Sequence, residues 1–83
     1  MRPEILAFAE AMQRELDANA RKGEFGSWAT CDPQALLNDV YYHVVKLGRA
    51  LLQEDTEGVE EYAADVANMA MMVRDAHRRR VGR

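Results

Sequence analysis

Asp65 and Asn68 stand three residues apart in the stretch Glu61-Tyr-Ala-Ala-Asp-Val-Ala-Asn-Met-Ala-Met-Met-Val-Arg-Asp75, so on a helix both project from one face. The stretch around them is strongly apolar. Val59, Tyr62, Ala63, Val66, Ala70 and Val73 recur at the spacing of one helical face, and Ala64, Ala67, Met71 and Met72 make much of the opposite side apolar too. A helix apolar nearly all round is a central one, and a carboxylate buried in it is costly unless paired. Two readings follow. Either Asp65 is neutralised by a lysine or arginine from another helix, or Asp65 and Asn68 belong to a ligand site, with small alanines letting the ligand come close.

Two further groups carry chemistry. Asp39, His43 and Lys46 follow one another at successive turns of a second helical stretch, where His43 is either a hydrogen-bonded structural residue or a metal ligand. Lys22, Phe25 and the single tryptophan, Trp28, fall in a segment without periodicity. There the aromatic rings either plug one end of the helical body or stack on a ligand.

Three helices have to position these groups. Ile5, Phe8, Ala9, Met12 and Leu16 form an apolar stripe over about 3–20, with Pro3 in the first turn. Gly23, Gly26, Ser27, Thr30 and Pro33 mark a loop over 21–32, long enough to suggest a function. Asp32 before Pro33 is a helix start, and Leu37, Val40, Tyr41, Val44, Leu47 and Leu51 stripe a helix over 33–53. Asp55, Thr56, Glu57 and Gly58 then punctuate the chain, with Thr56 as the expected cap of a third helix over 57–79. Its acidic start (Glu57, Glu60, Glu61) and basic end (Arg74, Arg78, Arg79, Arg80) both complement the helix dipole.

The composition agrees with an all-α chain: 83 residues, 48% hydrophobic and 30% charged, rich in Ala, Leu, Glu, Arg and Met, with two prolines. One domain of this size buries only about 60–65% of its unfolded surface when alone, so association with a second copy is expected. A net charge of −3 gives no general attraction to nucleic acid or anionic membrane, and the basic end lacks the interleaved aromatic residues of a nucleic-acid surface. No stretch approaches the ~20 apolar residues of a membrane span. The early acidic residues argue against a signal peptide, and the lone Cys31 fits a reducing cytoplasm. There is no phosphate-cradling glycine motif and no serine or cysteine with a supporting base.

Lys22-Gly23 followed by Trp28, then Leu36-Leu37, Ala50-Leu51-Leu52, and Ala63-Ala64-Asp65-Val66-Ala67-Asn68-Met69-Ala70-Met71-Met72 together resemble the MazG-like proteins, all-α nucleoside triphosphate pyrophosphohydrolases, in their small bacterial and phage members. The resemblance covers most of 22–75. It implies an antiparallel three-helix protomer that assembles into a dimer or tetramer and cleaves nucleoside triphosphates with magnesium, held by a Glu-x-x-Glu pair on one helix and a Glu-x-x-Asp pair on the next. Counting from Ala50-Leu51 puts His43 and Lys46 at the first pair, and counting from Asp65 puts Tyr62 at the third glutamate. Of the four ligands only Asp65 remains, and lysine, tyrosine and histidine do not suit a hard cation. The resemblance therefore implies a degenerate member, a pseudoenzyme without cofactor that binds a nucleotide-like ligand or a host protein. In it Lys22 and Lys46 would supply positive charge, Trp28 or Tyr62 would stack on a base and Asn68 would hydrogen-bond to it, with His43 and Asp65 alongside. Lys46 is expected to face Asp65 and replace the cation's charge. The alternative is a weak magnesium-dependent hydrolase with a metal site rearranged onto Asp65, Glu61, Asp39 and His43.

Overall fold

A computed structural model describes residues 1–21 and 28–82. Its order is α1 (Pro3–Arg21), a 3-10 turn (Trp28–Thr30), α2 (Pro33–Leu52) and α3 (Thr56–Arg80), with no strand among the described residues. Lys22, Gly23, Phe25, Gly26 and Ser27 of the expected loop lie outside the described residues. No described helix is long and apolar enough to cross a membrane.

The helix ends follow from local chemistry. Asp32 caps α2, its Oδ1 accepting from the Gln34 amide at 3.2 Å, with Pro33 in the first turn. The cap of α3 is Asp55, not Thr56: the Asp55 carboxylate accepts from the Gly58 amide at 3.0 Å. An oxygen one residue earlier in the chain reaches the third free amide of the new helix, and α3 accordingly begins at Thr56. Between the helices, Glu54 takes a left-handed conformation (φ 55°). Its amide then reaches the Leu51 carbonyl at 3.2 Å, and the next amide, Asp55, reaches Ala50 at 2.9 Å, a helix-closing turn that usually holds glycine.

This three-residue connection folds α2 back along α3, and the pair forms the body of the molecule. At ~1.5 Å per residue α3 runs ~37 Å, nearly the 41 Å long dimension. The pairing has a register. Leu36 meets the Met72 cluster, His43 meets Asp65, Lys46 meets Tyr62, and Ala50 meets Gly58. Small residues at the turn end, Ala50, Gly58 and Ala64, let the backbones approach closely; toward the other end Leu36, Met69, Met72 and Ala76 form the core, joined by Leu16, Trp28, Val40, Met71 and Val73. Among the described residues α1 packs on α3 rather than on α2, and its Leu16 joins the shared core.

Two apolar stripes read from the sequence are the covered faces only in part. In α2, Leu37, Val40 and Leu47 of the stripe are partly covered and Tyr41, Val44 and Leu51 are exposed, while Leu36 and Ala50, outside the stripe, are buried. In α1 only Met12 and Leu16 of the stripe are covered, and Ile5, Phe8 and Ala9 face solvent. Ala70 of α3 is exposed too. Met69 and Met72, by contrast, are buried inside the protomer, so the surplus apolar surface expected on α3 lies on α1 and α2 instead.

Candidate functional site

The register of the α2–α3 pair decides which side chains meet. Moving one turn toward the connection on α2 moves one turn toward the start of α3, because the helices run in opposite directions. His43 is thereby placed against Asp65, with Nδ1 4.0 Å from Oδ2, and this nitrogen has no hydrogen-bond partner. Lys46, one turn further, is placed against Tyr62 and not against Asp65. Its ammonium lies 4.5 Å from the centre of the Tyr42 ring and 5.6 Å from that of Tyr62, within reach of a cation–π attraction to both. The expected Lys46–Asp65 ion pair does not form among the described residues. The offset of one turn is the reason.

Lys46 and Tyr62 also line a cleft of about 140 Å³ with Arg49, Ala50, Gln53 and Asp55. That is well below the ~300 Å³ at which drug-sized ligand pockets begin; it has room for a phosphate group rather than a whole nucleotide.

Asn68 is 3% exposed and joins α3 to α1, its Nδ2 donating to the Met12 carbonyl at 3.0 Å while Oδ1 has no hydrogen-bond partner. One turn away on each helix, Glu15 of α1 meets Asp65 and Glu61 of α3, each offering an oxygen within 4.8 Å of the others. Glu15 is the residue that sequence reading missed. Its signal was its place between Met12 and Leu16, the two stripe residues of α1 that are packed. Asp39 and His43, named for a rearranged metal site, are not in this group. Three carboxylates are ligands a hard cation accepts, whereas acidic groups also gather at protein surfaces without one.

Trp28 is half-buried against the core, and its Nε1 donates to Asp75 Oδ2 at 2.8 Å. Asp75 is ten residues, or ~15 Å, beyond Asp65 along α3, so the indole sits at the opposite end of the molecule from Lys46 and Tyr62. Lys22 lies outside the described residues. Arg79 Nε donates to the same Asp75 oxygen at 2.9 Å, and Arg80 Nη1 to Asp32 Oδ1 at 3.0 Å, which ties the 3-10 turn and the start of α2 to the end of α3.

Arg79 first, and Trp28 second, hold the Asp75 carboxyl below its ordinary value. A depressed carboxyl contributes stability above the unfolded-state pKa and loses it as pH falls through the lower folded value. Trp28 emission is therefore expected to stay constant from neutral pH to the ordinary carboxylate range and to shift red only in stronger acid. At neutral pH, Asp75→Leu is expected to shift it red, and an unchanged spectrum would show that the indole is not anchored there.

No family model, curated protein or solved structure matches this chain.

Proposed function

We propose that the chain is a degenerate MazG-like protein that binds the phosphate end of a nucleotide-like ligand without hydrolysing it. One observation carries this reading. The four positions that the resemblance assigns to metal ligands, 43, 46, 62 and 65, meet as two facing pairs, His43 with Asp65 and Lys46 with Tyr62. Three of the four no longer carry a carboxylate. A site that would have held a cation against a triphosphate now presents its own cation: Lys46, with Arg49 one turn along, lines a cleft of phosphate size. The exposed ring of Tyr42 beside Lys46 offers a surface on which a base can stack outside the cleft.

A second reading, a weak magnesium-dependent pyrophosphohydrolase, is favoured by the convergence of Glu15, Glu61 and Asp65. These residues would hold the ion, which would supply charge neutralisation at the phosphates.

Thermal unfolding in the presence of nucleoside mono-, di- and triphosphates, with and without magnesium, separates the two. On the first reading a nucleotide raises Tm without metal, by about 2.7 kcal/mol of stabilisation at a hundred times its Kd, and Lys46→Met abolishes the shift. On the second, pyrophosphate is released only with magnesium, and Glu15→Gln and Asp65→Asn abolish that release. A protein that neither shifts nor hydrolyses would overturn both.

A further inference from the structure

Two adjoining hollows form one groove between α1 and the start of α3. One, of about 490 Å³, lies along Glu4, Phe8 and Glu10 of α1; the other, of about 330 Å³, lies along Glu57 and Glu61 of α3; Ala11, Arg14 and Glu60 line both. Five exposed carboxylates therefore line the groove against a single cation, Arg14, among the described residues, and half-buried Glu15 joins them. None of the five is in an ion pair among the described residues. With Arg14 counted and Glu15 left aside, the groove still carries a net charge of −4. Beside the carboxylates runs an apolar edge: Phe8 is 38% exposed and Ile5, one turn before it, 52%. We propose that this groove is the docking site for a basic amphipathic helix of another protein.

Charge complementarity selects this occupant. Glu4 and Glu57 stand in the first turns of α1 and α3, where the helix dipole favours a carboxylate. Glu10 and Glu60 stand beyond the first turn of their helices, where that effect has died away, yet the packing of α1 on α3 brings both to one groove. Like charges gathered without a cation between them oppose folding, and a basic partner relieves them. Anionic membrane and nucleic acid have the wrong sign. A small polycation has the right sign but leaves Phe8 and Ile5 in water, whereas an amphipathic helix covers them with its apolar side and sets Lys or Arg against the flanking carboxylates. From Glu4 to Arg14 the groove follows ~15 Å of α1, the length of about three turns of the partner helix. The chain's own basic segment, Arg74 to Arg80, keeps the apolar side chains Met72 and Ala76 inside the protomer, so it cannot fill the groove of another copy in this way.

Docking here does not depend on whether the Lys46 cleft takes a phosphate, and Glu61 and Glu15, which belong to the acidic group of the magnesium reading, are left unchanged in the test. The probes are a labelled synthetic helix of leucine and lysine with one apolar side, the same helix with glutamate for lysine, and spermine, each titrated against the full chain. The lysine helix is expected to bind, more weakly as salt rises, and the glutamate helix not to bind. Spermine should bind about tenfold more weakly or less, because it gains nothing from Phe8 and Ile5. Glu10→Lys and Glu60→Lys should each weaken the lysine helix about fivefold or more; both positions are exposed, and far-UV circular dichroism checks that the variants remain folded. Asp39→Lys, the same charge change on the exposed side of α2, should cost less than about twofold. A lysine helix that does not bind would overturn the proposal. So would a loss as large from Asp39→Lys as from Glu60→Lys, which would mean attraction to the acidic chain as a whole, or equal affinity for spermine, which would mean that charge alone binds. A wild-type dimer that Glu60→Lys dissociates would also overturn it, by giving the groove to a second copy.

Discussion

Met72→Asp is expected to leave the chain unfolded. Met72 is 1% exposed at the centre of the cluster with Leu36, Met69 and Ala76, and none of these neighbours can pair with a carboxylate. Burying that group unpaired costs several kcal/mol. The whole stability of a domain is about 5–15 kcal/mol, and a small chain sits toward the low end because it buries a smaller fraction of its surface. Met72→Leu, which keeps volume and polarity, should cost less than about 1.5 kcal/mol. Ala70→Asp, on the exposed side of the same helix, should change stability by no more than about 0.5 kcal/mol. Far-UV circular dichroism during thermal unfolding checks all three; a Met72→Asp protein with wild-type helicity and Tm would show that the core is not where this structure has it.

Gly58→Val is expected to produce the second large loss, by prying apart the turn end of the α2–α3 pair. A Cβ at 58 would collide with the Asp55 carboxylate, standing 2.9 Å from its Cγ, and lie 3.2 Å from the Ala50 Cβ. The first contact breaks the cap that Asp55 forms on the Gly58 amide, worth about 1 kcal/mol; the second overpacks a contact between two helices, adding about 1–3 kcal/mol. Asp55→Ala removes the cap alone and should cost about 1 kcal/mol. Combining Asp55→Ala with Gly58→Val should cost less than the sum, because the collision partner is gone. Chemical denaturation of the four proteins tests this. Strict additivity would mean that the two side chains do not compete for the same space.

The two expected results draw on different sources of information. Met72 sits in a stretch whose apolar residues mark the segment as central from the sequence alone, although Ala70 in the same stretch is exposed. Gly58 carries no such mark: in the sequence it reads as punctuation before a helix, and only the close approach of Ala50 across the pair gives it a packing reason.

The same division holds for the candidate site. Sequence determined that the chain is helical, where the helices start and stop to within a residue or two, and that the segment around Asp65 and Asn68 is central. These are consequences of periodicity, of capping oxygens and of apolar residues too numerous for one face. That positions 43, 46, 62 and 65 belong together was implied by the resemblance to MazG-like proteins and not by spacing itself. What sequence could not determine was which apolar residues of α2 are turned inward. Of the stripe Leu37, Val40, Tyr41, Val44, Leu47 and Leu51, only Leu37, Val40 and Leu47 are partly covered, while Leu36 and Ala50, outside it, are buried, because small Ala50 can sit against Gly58 whereas a bulkier residue would hold the backbones apart. The rotation of α2, and the antiparallel register that comes with it, set His43 rather than Lys46 against Asp65. The packing of α1 on α3 brought Glu15 to the two acidic residues of α3 from a helix distant in sequence. Pairings between helices depend on which side chains interlock at contact. A spacing along one helix fixes neighbours on that helix only, so those meetings were decided by the tertiary structure.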